Sequence, residues 1–347
     1  MQNQNIGTFI NEIPKAELHV HIEGTLEPEL IFKLASRNKI NLKFKSIEEL
    51  KKAYNFHGLQ SFLNVYYEGL KVLQKPEDFY ELTWMYIEKA RKQKVLHTEI
   101  FFDPQAHTNR GVSFETVISG ISSALKNAKR ELNISSNLIM CFLRHLSPGS
   151  AIETLKESVK FKDLICGVGL DSGEIGNPPK KFSEVFRKAG NIGYLKVAHA
   201  GEEGPPEYIW QALEELNVQR IDHGVRCLED KKLVEKLVQN QIPLTVCPLS
   251  NIKLGIFNDM GKHNLKELLK HGLKVTVNSD DPAYFGGYIN ENFLETVLAL
   301  NLTKKDICTL AKNSFEASFL TNPKKESLIN KLNSFVKSYK KEKLTLV

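Results

Sequence analysis

The stretch AELHVHIE, residues 16–23, is a β-strand candidate that ends in two histidines and a glutamate. Successive side chains of a strand point to opposite faces, so His19 and His21 share a face and can reach one common ligand. An open, doubly wound sheet usually carries a glycine-rich phosphate turn after its first strand, and this strand ends in histidines instead. The stretch therefore favours a parallel architecture whose first strand carries functional side chains.

Seven further apolar runs of strand length follow along the chain, separated by segments with helical patterning. Strands that alternate with helices form parallel sheets, and eight such units close into a barrel. The sequence therefore predicts an α/β fold, a (β/α)8 TIM barrel, with extra helices inserted after strand 1 and at the C-terminus. The predicted strands are Ala16–Glu23, Leu96–Pro104, Asn137–Arg144, Leu164–Asp171, Tyr194–His199, Arg220–Val225, Leu244–Ser250 and Lys274–Asp280.

Some helices between these strands carry boundary signals. The segment Ser150–Lys160 is predicted to open with a capping box formed by Ser150 and Glu153. Glycine is a common helix stop, and two further helices are predicted to end before one. These are Lys181–Ala189 before Gly190 and Leu265–His271 before Gly272.

Residues 27–94, between the first two strands, contain several helical stretches and a dense aromatic cluster. This insertion lies on the catalytic side of a barrel and can cover the site, but packing of helix against helix explains the aromatics equally well. We expect one domain over residues 1–347, with a barrel core at about 14–320 and a C-terminal helical extension at 321–347. The clustered aromatics are Phe56, Phe62, Tyr66, Tyr67, Phe79 and Tyr80.

The composition is that of a globular protein, since 41% of the 347 residues are hydrophobic and 25% are charged. This excludes a disordered chain. The net charge of +6 is small, and much of it lies in a C-terminal segment whose lysines are interleaved with acids. We expect a solvated amphipathic helix there rather than a nucleic-acid or membrane contact. The lysines are Lys324, Lys325, Lys331, Lys337, Lys340, Lys341 and Lys343.

The five cysteines are an odd number, lie far apart and form no C-x-x-C pair. That usage is typical of a reducing cytosol rather than of a disulfide framework. Neither the polar first 14 residues nor any other stretch has the apolar length of a signal peptide or a membrane span. We expect a cytoplasmic protein that binds neither membrane nor nucleic acid, and its oligomeric state does not follow from the sequence.

Four predicted strand ends, those of strands one, five, six and eight, carry residues that ligate metals or transfer protons. The C-terminal strand ends of a barrel all face one side, so these residues converge there. Three histidines and one aspartate form a site suited to zinc, and a glutamate, a histidine and a second aspartate lie beside them. The four segments are His19-Val20-His21, His199-Ala200-Gly201-Glu202, Asp222-His223-Gly224 and Asn278-Ser279-Asp280-Asp281-Pro282.

Three neighbouring polar residues are expected to be structural. Asp222 precedes His223 in the same strand, so its side chain is expected to point out of the barrel. Cys247 and Asn251 lie in the seventh strand and its loop. A cysteine nucleophile requires a base partner, and a metal-activated water makes such a nucleophile unnecessary.

Five segments of the chain resemble the adenosine/adenine deaminase family, over about residues 10–320. The glutamate after the H-x-H pair, the LDSGE segment at 170–174 and the DDPAYFGGY run most resemble the adenine deaminase branch. The five segments are PKAELHVHIEGTL (14–26), VAHAGEEGPPEYIW (197–210), RIDHGVR (220–226), LTVCPLSNIKL (244–254) and VTVNSDDPAYFGGY (275–288).

The resemblance implies a role for each matching residue. Glu202 corresponds to the acid that protonates purine N1, and His223 to the residue that orients the attacking water. Asp281 corresponds to a contact with N7. Gly173 lies where the family approaches N3, in a segment that is shorter here than in adenosine deaminases. The ligands of one zinc ion per chain correspond to His19, His21, His199 and Asp280.

These correspondences imply zinc-dependent hydrolytic deamination of adenine to hypoxanthine and ammonia, in purine salvage, with a small-molecule purine as partner. Zinc activates water at neutral pH, and a protonated Glu202 stabilises the electrons that attack at C6 sends toward N1. Deamination of adenosine or of a modified adenine nucleoside stays open. From another class of protein, a catalytically silent barrel that binds zinc or purine also stays open.

The preference for the free base rests on Ile22-Glu23-Gly24, where the adenosine-specific branch usually has Leu-Asp-Gly. In that branch the aspartate contacts the ribose. The longer Glu23 is therefore expected to place its carboxylate in the space of the sugar. If the side chain bends aside instead, the pocket stays open and discriminates weakly.

Overall fold

Eight parallel strands in chain order form a barrel in the computed structural model, which describes residues 2–344. The circle closes where Val20 bridges to Asp280, and backbone hydrogen bonds of 3.0 and 3.1 Å join the two segments. The predicted (β/α)8 TIM barrel is confirmed. The strands are β1 Lys15–His21, β2 Val95–Phe102, β3 Ser135–Leu143, β4 Gly167–Asp171, β5 Leu195–Ala200, β6 Arg220–His223, β7 Leu244–Val246 and β8 Val275–Val277.

Helices connect the strands and surround the barrel. They are α1 Gln2–Glu12, α2 Pro28–Asn38, α3 Ile47–Lys52, α4 Leu59–Leu70, α5 Pro76–Lys92, α6 Pro104–Thr108, α7 Phe114–Glu131, α8 Pro148–Ser158, α9 Ser183–Ile192, α10 Pro206–Glu214, α11 Lys231–Gln239, α12 Pro248–Lys253, α13 Leu265–Lys270, α14 Pro282–Phe285, α15 Ile289–Ala299, α16 Lys304–Glu316 and α17 Asn322–Leu344. The predicted insertion after strand 1 is α2 to α5, and the predicted C-terminal extension is α17. The sequence did not predict α1, which buries Phe9 and Ile10 and is followed directly by the buried Ile13.

The last two strands are shorter than predicted. β7 ends at Val246, because Pro248 opens α12 and a proline has no N–H to donate to a strand ladder. β8 ends at Val277, and Asp280 beyond it has a left-handed backbone with φ 64°. The loops that carry the site therefore begin earlier than the apolar runs indicate.

Two predicted helix boundaries are wrong. The side chain of Ser147, not that of Ser150, caps α8, because Pro148 fits the first helical position and Ser150 N–H donates to Ser147 Oγ at 3.2 Å. α9 continues past Gly190 and ends at Ile192, and the following Gly193 has a φ of 87°, which suits a residue without a side chain. α13 ends at Lys270, close to the predicted stop at Gly272.

The barrel interior next to the histidines is filled by a small apolar cluster, separate from the main core between barrel and helices. Its members are Phe101, Ile139, Cys141 and Val197. The Phe101 ring lies 4.9 Å from the His19 ring and 5.0 Å from the His21 ring. The imidazoles therefore rest on a packed floor, which limits their motion.

The aromatic residues of the insertion pack against the loop after β8. The Phe62 ring lies 4.8 Å from that of Phe285 and 5.5 Å from that of Tyr284. α4 is thereby fixed over the C-terminal side of the barrel. Within residues 2–344, no helix combines the length and the apolar character that a membrane crossing requires.

Candidate active site

Four buried side chains converge at the C-terminal mouth of the barrel, as predicted. They are His19, His21, His199 and Asp280, whose ligand atoms all lie within 4.8 Å of one another. Asp280 Oδ1 lies 3.1 Å from His19 Nε2 and 3.5 Å from His21 Nε2. The Nε2 atoms of His21 and His199 face each other at 3.2 Å. Because ligand atoms of three histidines and one aspartate converge on a single point, this cluster is a candidate metal site.

Oxygen atoms behind the imidazoles orient them for ligation. Thr245 donates to Asp222 at 2.8 Å, so its hydroxyl oxygen accepts the Nδ1 proton of His19 at 2.9 Å. That proton leaves the His19 Nε2 lone pair free for an ion. Asp171 Oδ2 likewise lies 3.5 Å from His21 Nδ1. Such outer partners are what metal-binding histidines usually have.

The expectation that Asp222 points out of the barrel is wrong. Asp222 is fully buried, and its carboxylate lies 3.7 Å from His199 Nδ1 and 3.9 Å from His19 Nδ1. The alternation fails because His223 ends the strand with a left-handed φ of 63°. Both residues therefore turn toward the mouth of the barrel, Asp222 behind the histidines and His223 beside them.

Glu202 lies beside the metal-binding cluster and is 5% exposed. Burial, followed by the Asp280 charge, raises the pKa of the Glu202 carboxyl well above its ordinary value. Its Oε2 lies 3.5 Å from His223 Nε2. This environment favours the neutral form of Glu202, the form that its predicted role requires.

A buried carboxylate with no role predicted from the sequence fixes the loop of Glu202. Glu174, fully buried, accepts the backbone N–H groups of Gly201 at 2.9 Å and Glu202 at 3.1 Å, and that of Gly204. Arg144 Nη1 lies 3.6 Å from Glu174 and donates to the His199 carbonyl at 2.7 Å. These bonds position the acid relative to the histidine ligand.

Asn251, which the sequence indicated to be structural, fixes the position of the proton on His223. Leu265 N–H donates to His263 Nδ1 at 3.1 Å, so the His263 proton is on Nε2, which faces Asn251 Oδ1 at 3.2 Å. The Asn251 amide nitrogen therefore donates to His223 Nδ1 at 3.4 Å. Burial lowers the pKa of His223 to about 3, so its imidazole is neutral. Its single proton is on Nε2, toward Glu202.

The cluster opens into a narrow cavity of about 40 Å³. The insertion forms one wall, with five side chains from α4. The neighbouring wider cavity, about 280 Å³, shares Leu63, Tyr67 and Ser172 with it and extends to Gly173. The α4 residues of the wall are Leu59, Phe62, Leu63, Tyr66 and Tyr67.

The predicted substrate contacts lie in different places. Asp281 lines the narrow cavity, and Gly24 is required behind it, because a Cβ there would lie 2.0 Å from Asp281 Oδ1. Gly173 lines only the wider cavity. Glu23 lines neither cavity. Its Oε1 accepts hydrogen bonds from His107 Nε2 at 2.9 Å and from the Asp103 N–H at 3.1 Å. These bonds hold the Glu23 carboxylate behind the wall of the narrow cavity.

Comparison with known proteins agrees with this geometry. The sequence matches the family described as adenosine deaminase over residues 14–335. It is 62% identical over 321 residues to the adenine deaminase of Crocosphaera subtropica, covering 92% of this chain and 98% of that protein. It is 57% identical over 329 residues to the adenine deaminase of Acinetobacter baylyi, covering 95% and 99%. The crystal structure of adenine deaminase from Arthrobacter aurescens matches with a TM-score of 0.92 at 49% identity, covering 94% of this chain and 99% of that one.

The chain belongs to the adenosine deaminase family, and it is therefore a barrel hydrolase with a metal cofactor. Within that family it falls in the adenine deaminase branch, which confirms the resemblance found in the sequence.

Proposed function

We propose that this enzyme hydrolyses adenine to hypoxanthine and ammonia with one zinc ion per chain. The observation that carries the proposal is the position of Glu202, a buried acid beside four convergent ligands, three of which line the same narrow cavity. The names of the relatives support adenine as the substrate.

The donor set supports zinc. Ligand atoms that stand about 2.0–2.1 Å from zinc at tetrahedral angles lie roughly 3.3 Å from one another. The neighbouring donors of this site are separated by 3.1, 3.2 and 3.5 Å. Burial lowers the pKa of His199 well below its ordinary value, so its imidazole is neutral and available to a cation. When bound, the ion lowers the pKa of a coordinated water and so supplies a nucleophile at neutral pH.

Glu202 supplies the first proton. As water attacks C6 of the base, the electron pair of the N1–C6 double bond moves to N1, and the protonated Glu202 donates there. The carboxylate that remains can accept the water proton and pass it to the exocyclic amine. The bond between C6 and that amine then breaks and ammonia leaves, while the C6 hydroxyl gives its proton back to the Glu202 carboxylate, which leaves a carbonyl at C6 and restores the acid.

His223 acts as a hydrogen-bond donor in this scheme. Its Nδ1 accepts from Asn251, so Nε2–H is the group that faces the reaction centre. A neutral imidazole with its proton at Nε2 cannot take a proton there, and so the proton transfers fall to Glu202. We assign His223 the orientation of the attacking oxygen and Asp281 the contact with N7.

The proposal is tested by following adenine with the purified enzyme. We expect equal amounts of hypoxanthine and ammonia, measured by chromatography and by an ammonia assay. Elemental analysis after dialysis is expected to show about one zinc per chain. Full activity in protein free of metal would refute the mechanism, whereas one iron or manganese per chain would change only the identity of the ion.

We further propose a cytoplasmic role in purine salvage. The five cysteines form no disulfide with one another, and three of them are buried, which suits a reducing compartment. The partner that we propose is a small purine rather than a membrane or a nucleic acid. Expression of the gene in cells that lack their own route from adenine to hypoxanthine is expected to restore growth on adenine as the sole purine.

A further inference from the structure

We propose that Asp103 selects the free base by accepting a hydrogen bond from the N–H of the imidazole ring of the substrate. This inference rests on the proposed deamination of adenine and assigns the residue that distinguishes a base from a nucleoside. Asp103 follows β2 directly, is 3% exposed and lines the narrow cavity.

Asp103 has unused hydrogen-bonding capacity. Among the described residues, no amide, imidazole or hydroxyl group donates to its buried Oδ1. Asp171 lines the same cavity and also keeps Oδ1 without such a donor, and carboxyl oxygens of the two residues lie within 4.8 Å of each other. Buried polar oxygens are nearly always satisfied, so a ligand or water is expected to complete these. Carboxyl oxygens accept hydrogen bonds in either protonation state, so the contact does not depend on charge.

Glu23 and His107 hold Asp103 in place from behind the wall. The Asp103 N–H donates to Glu23 Oε1 at 3.1 Å, and His107 Nε2 lies 2.9 Å from the same oxygen. Both groups are fully buried. Glu23 therefore affects substrate selection as a positioning residue, through the backbone of Asp103, rather than by filling the space of a sugar.

Asp103 lies on the Asp281 side of the cavity rather than on the Glu202 side. Glu23 Oε1 accepts the Asp103 N–H at 3.1 Å, and the adjoining Gly24 lies directly against Asp281, so Asp103 and Asp281 lie beside the same turn. Glu202 instead lies beside His223, with 3.5 Å between Oε2 and Nε2. With N1 of the base at Glu202 and N7 at Asp281, the next atoms around the ring beyond N7 are C8 and N9. An acceptor on that side faces the N9–H group.

The chemistry of the two substrates differs at that atom. Adenine carries a hydrogen at N9, whereas a nucleoside carries its sugar there and has no N–H to donate. A site built to bind an N–H strongly rejects an analogue that lacks it, because the buried acceptor is left unpaired. Asp103 thus favours adenine over a nucleoside in two ways: the nucleoside cannot form the hydrogen bond, and the Asp103 side chain lies where the sugar would be.

The test compares adenine with 9-methyladenine, which lacks the N9 hydrogen. We expect Asp103→Ala to lower kcat/KM for adenine on the order of ten- to a hundredfold, mostly through KM. For 9-methyladenine we expect a loss of less than about threefold, because the contact is absent already. Asp163→Ala, the same change at an exposed aspartate, is the control and is expected to affect neither substrate.

Equal losses for both substrates would overturn the proposal and make Asp103 structural. If Asp103→Ala does not fold, Asp103→Asn keeps an acceptor oxygen and is expected to stay within about tenfold of wild type. The wild type also provides a test, since equal kcat/KM for adenine and 9-methyladenine would refute the contact. A wild-type enzyme that does not deaminate adenine refutes the proposed function instead.

Discussion

The two ends of the barrel bury ionisable side chains in opposite ways. At the N-terminal end, Lys15 Nζ donates to two backbone carbonyls at 3.0 and 2.7 Å and to Asn290 Oδ1 at 2.9 Å. Inside the barrel, one oxygen of Glu99 pairs with Arg220, and the other accepts from His97 and from a backbone N–H. Every charged atom of Lys15 and Glu99 has a partner, and these groups stabilise the fold.

The C-terminal end leaves polar atoms without partners. Asp103 Oδ1 and Asp171 Oδ1 are buried without a donor, and His199 Nδ1 also has no hydrogen-bond partner among the described residues. His223 and Asp280 add left-handed backbones, with φ 63° and 64°. Left-handed backbones and unpaired carboxyl oxygens at the C-terminal end contrast with the paired Lys15 and Glu99, and this contrast separates the part of the barrel that binds from the part that stabilises the fold.

The largest effect is expected from Glu202→Gln at the binding end. An amide cannot donate the proton to N1, so kcat is expected to fall on the order of a hundred- to ten-thousand-fold, with fold and metal content unchanged. Steady-state kinetics with elemental analysis measures this, and the exposed Glu207→Gln is the control. A variant that keeps more than about a tenth of wild-type kcat would refute the proton-donor role.

The second-largest effect, on stability, is expected from Glu99→Gln, among the paired groups that stabilise the fold. Burial alone would raise the pKa of Glu99, but Arg220, with help from His97, lowers it to about 2. Removal of the charge leaves buried Arg220 with Asp222, 3.5 Å from its Nε, as its remaining counter-charge, so the free energy of unfolding is expected to fall by at most about 3–5 kcal/mol. Denaturant unfolding measures this loss, and Glu153→Gln, in an exposed ion pair, is expected to cost less than about 1 kcal/mol.

The destabilisation caused by Glu99→Gln is expected to depend on pH. The folded-state pKa of Glu99 is depressed, so its stabilisation is present above the ordinary carboxyl pKa. It is lost as pH falls from about 4.5 toward about 2. The difference in unfolding free energy between wild type and Glu99→Gln is therefore expected to shrink across that window. A constant difference would show that the pair does not stabilise the fold through its charge.

The smallest of these effects is expected from Asp222→Asn, which lies between the two ends. Loss of this outer partner is expected to lower metal affinity on the order of ten- to a hundredfold, because His19 and His199 are less well oriented. Competition with a chelator of known affinity measures the change. Unchanged affinity would move Asp222 into the structural group with Glu99.

The barrel could be predicted because apolar runs and helical patterning are local properties of the sequence. The boundaries of its helices could not be predicted in the same way. Ser147, rather than Ser150, caps its helix because a proline fits the following position, and α1 is hidden in a polar segment that is stabilised by distant contacts of Phe9 with Phe335. The division into one domain stays a prediction.

The metal ligands and Glu202 could be predicted because strand ends of a barrel must converge. Glu174, Asn251 and Asp103 could not, because each acts on groups far away in sequence, and no spacing signals such contacts. The orientation of Asp222 was wrong because the pattern assumes regular strand geometry up to the last residue. The prediction of side-chain direction from strand alternation is least reliable where the backbone departs from strand geometry.

The most direct test of the account is the ratio of kcat/KM for adenine to that for adenosine, measured by loss of ultraviolet absorbance at matched concentrations. With Asp103 in the wall of a narrow cavity, we expect adenine to be preferred by at least about a hundredfold, near 3 kcal/mol of transition-state free energy. Equal or reversed efficiencies would contradict the account and would place the enzyme among nucleoside deaminases, with the barrel and metal site unchanged.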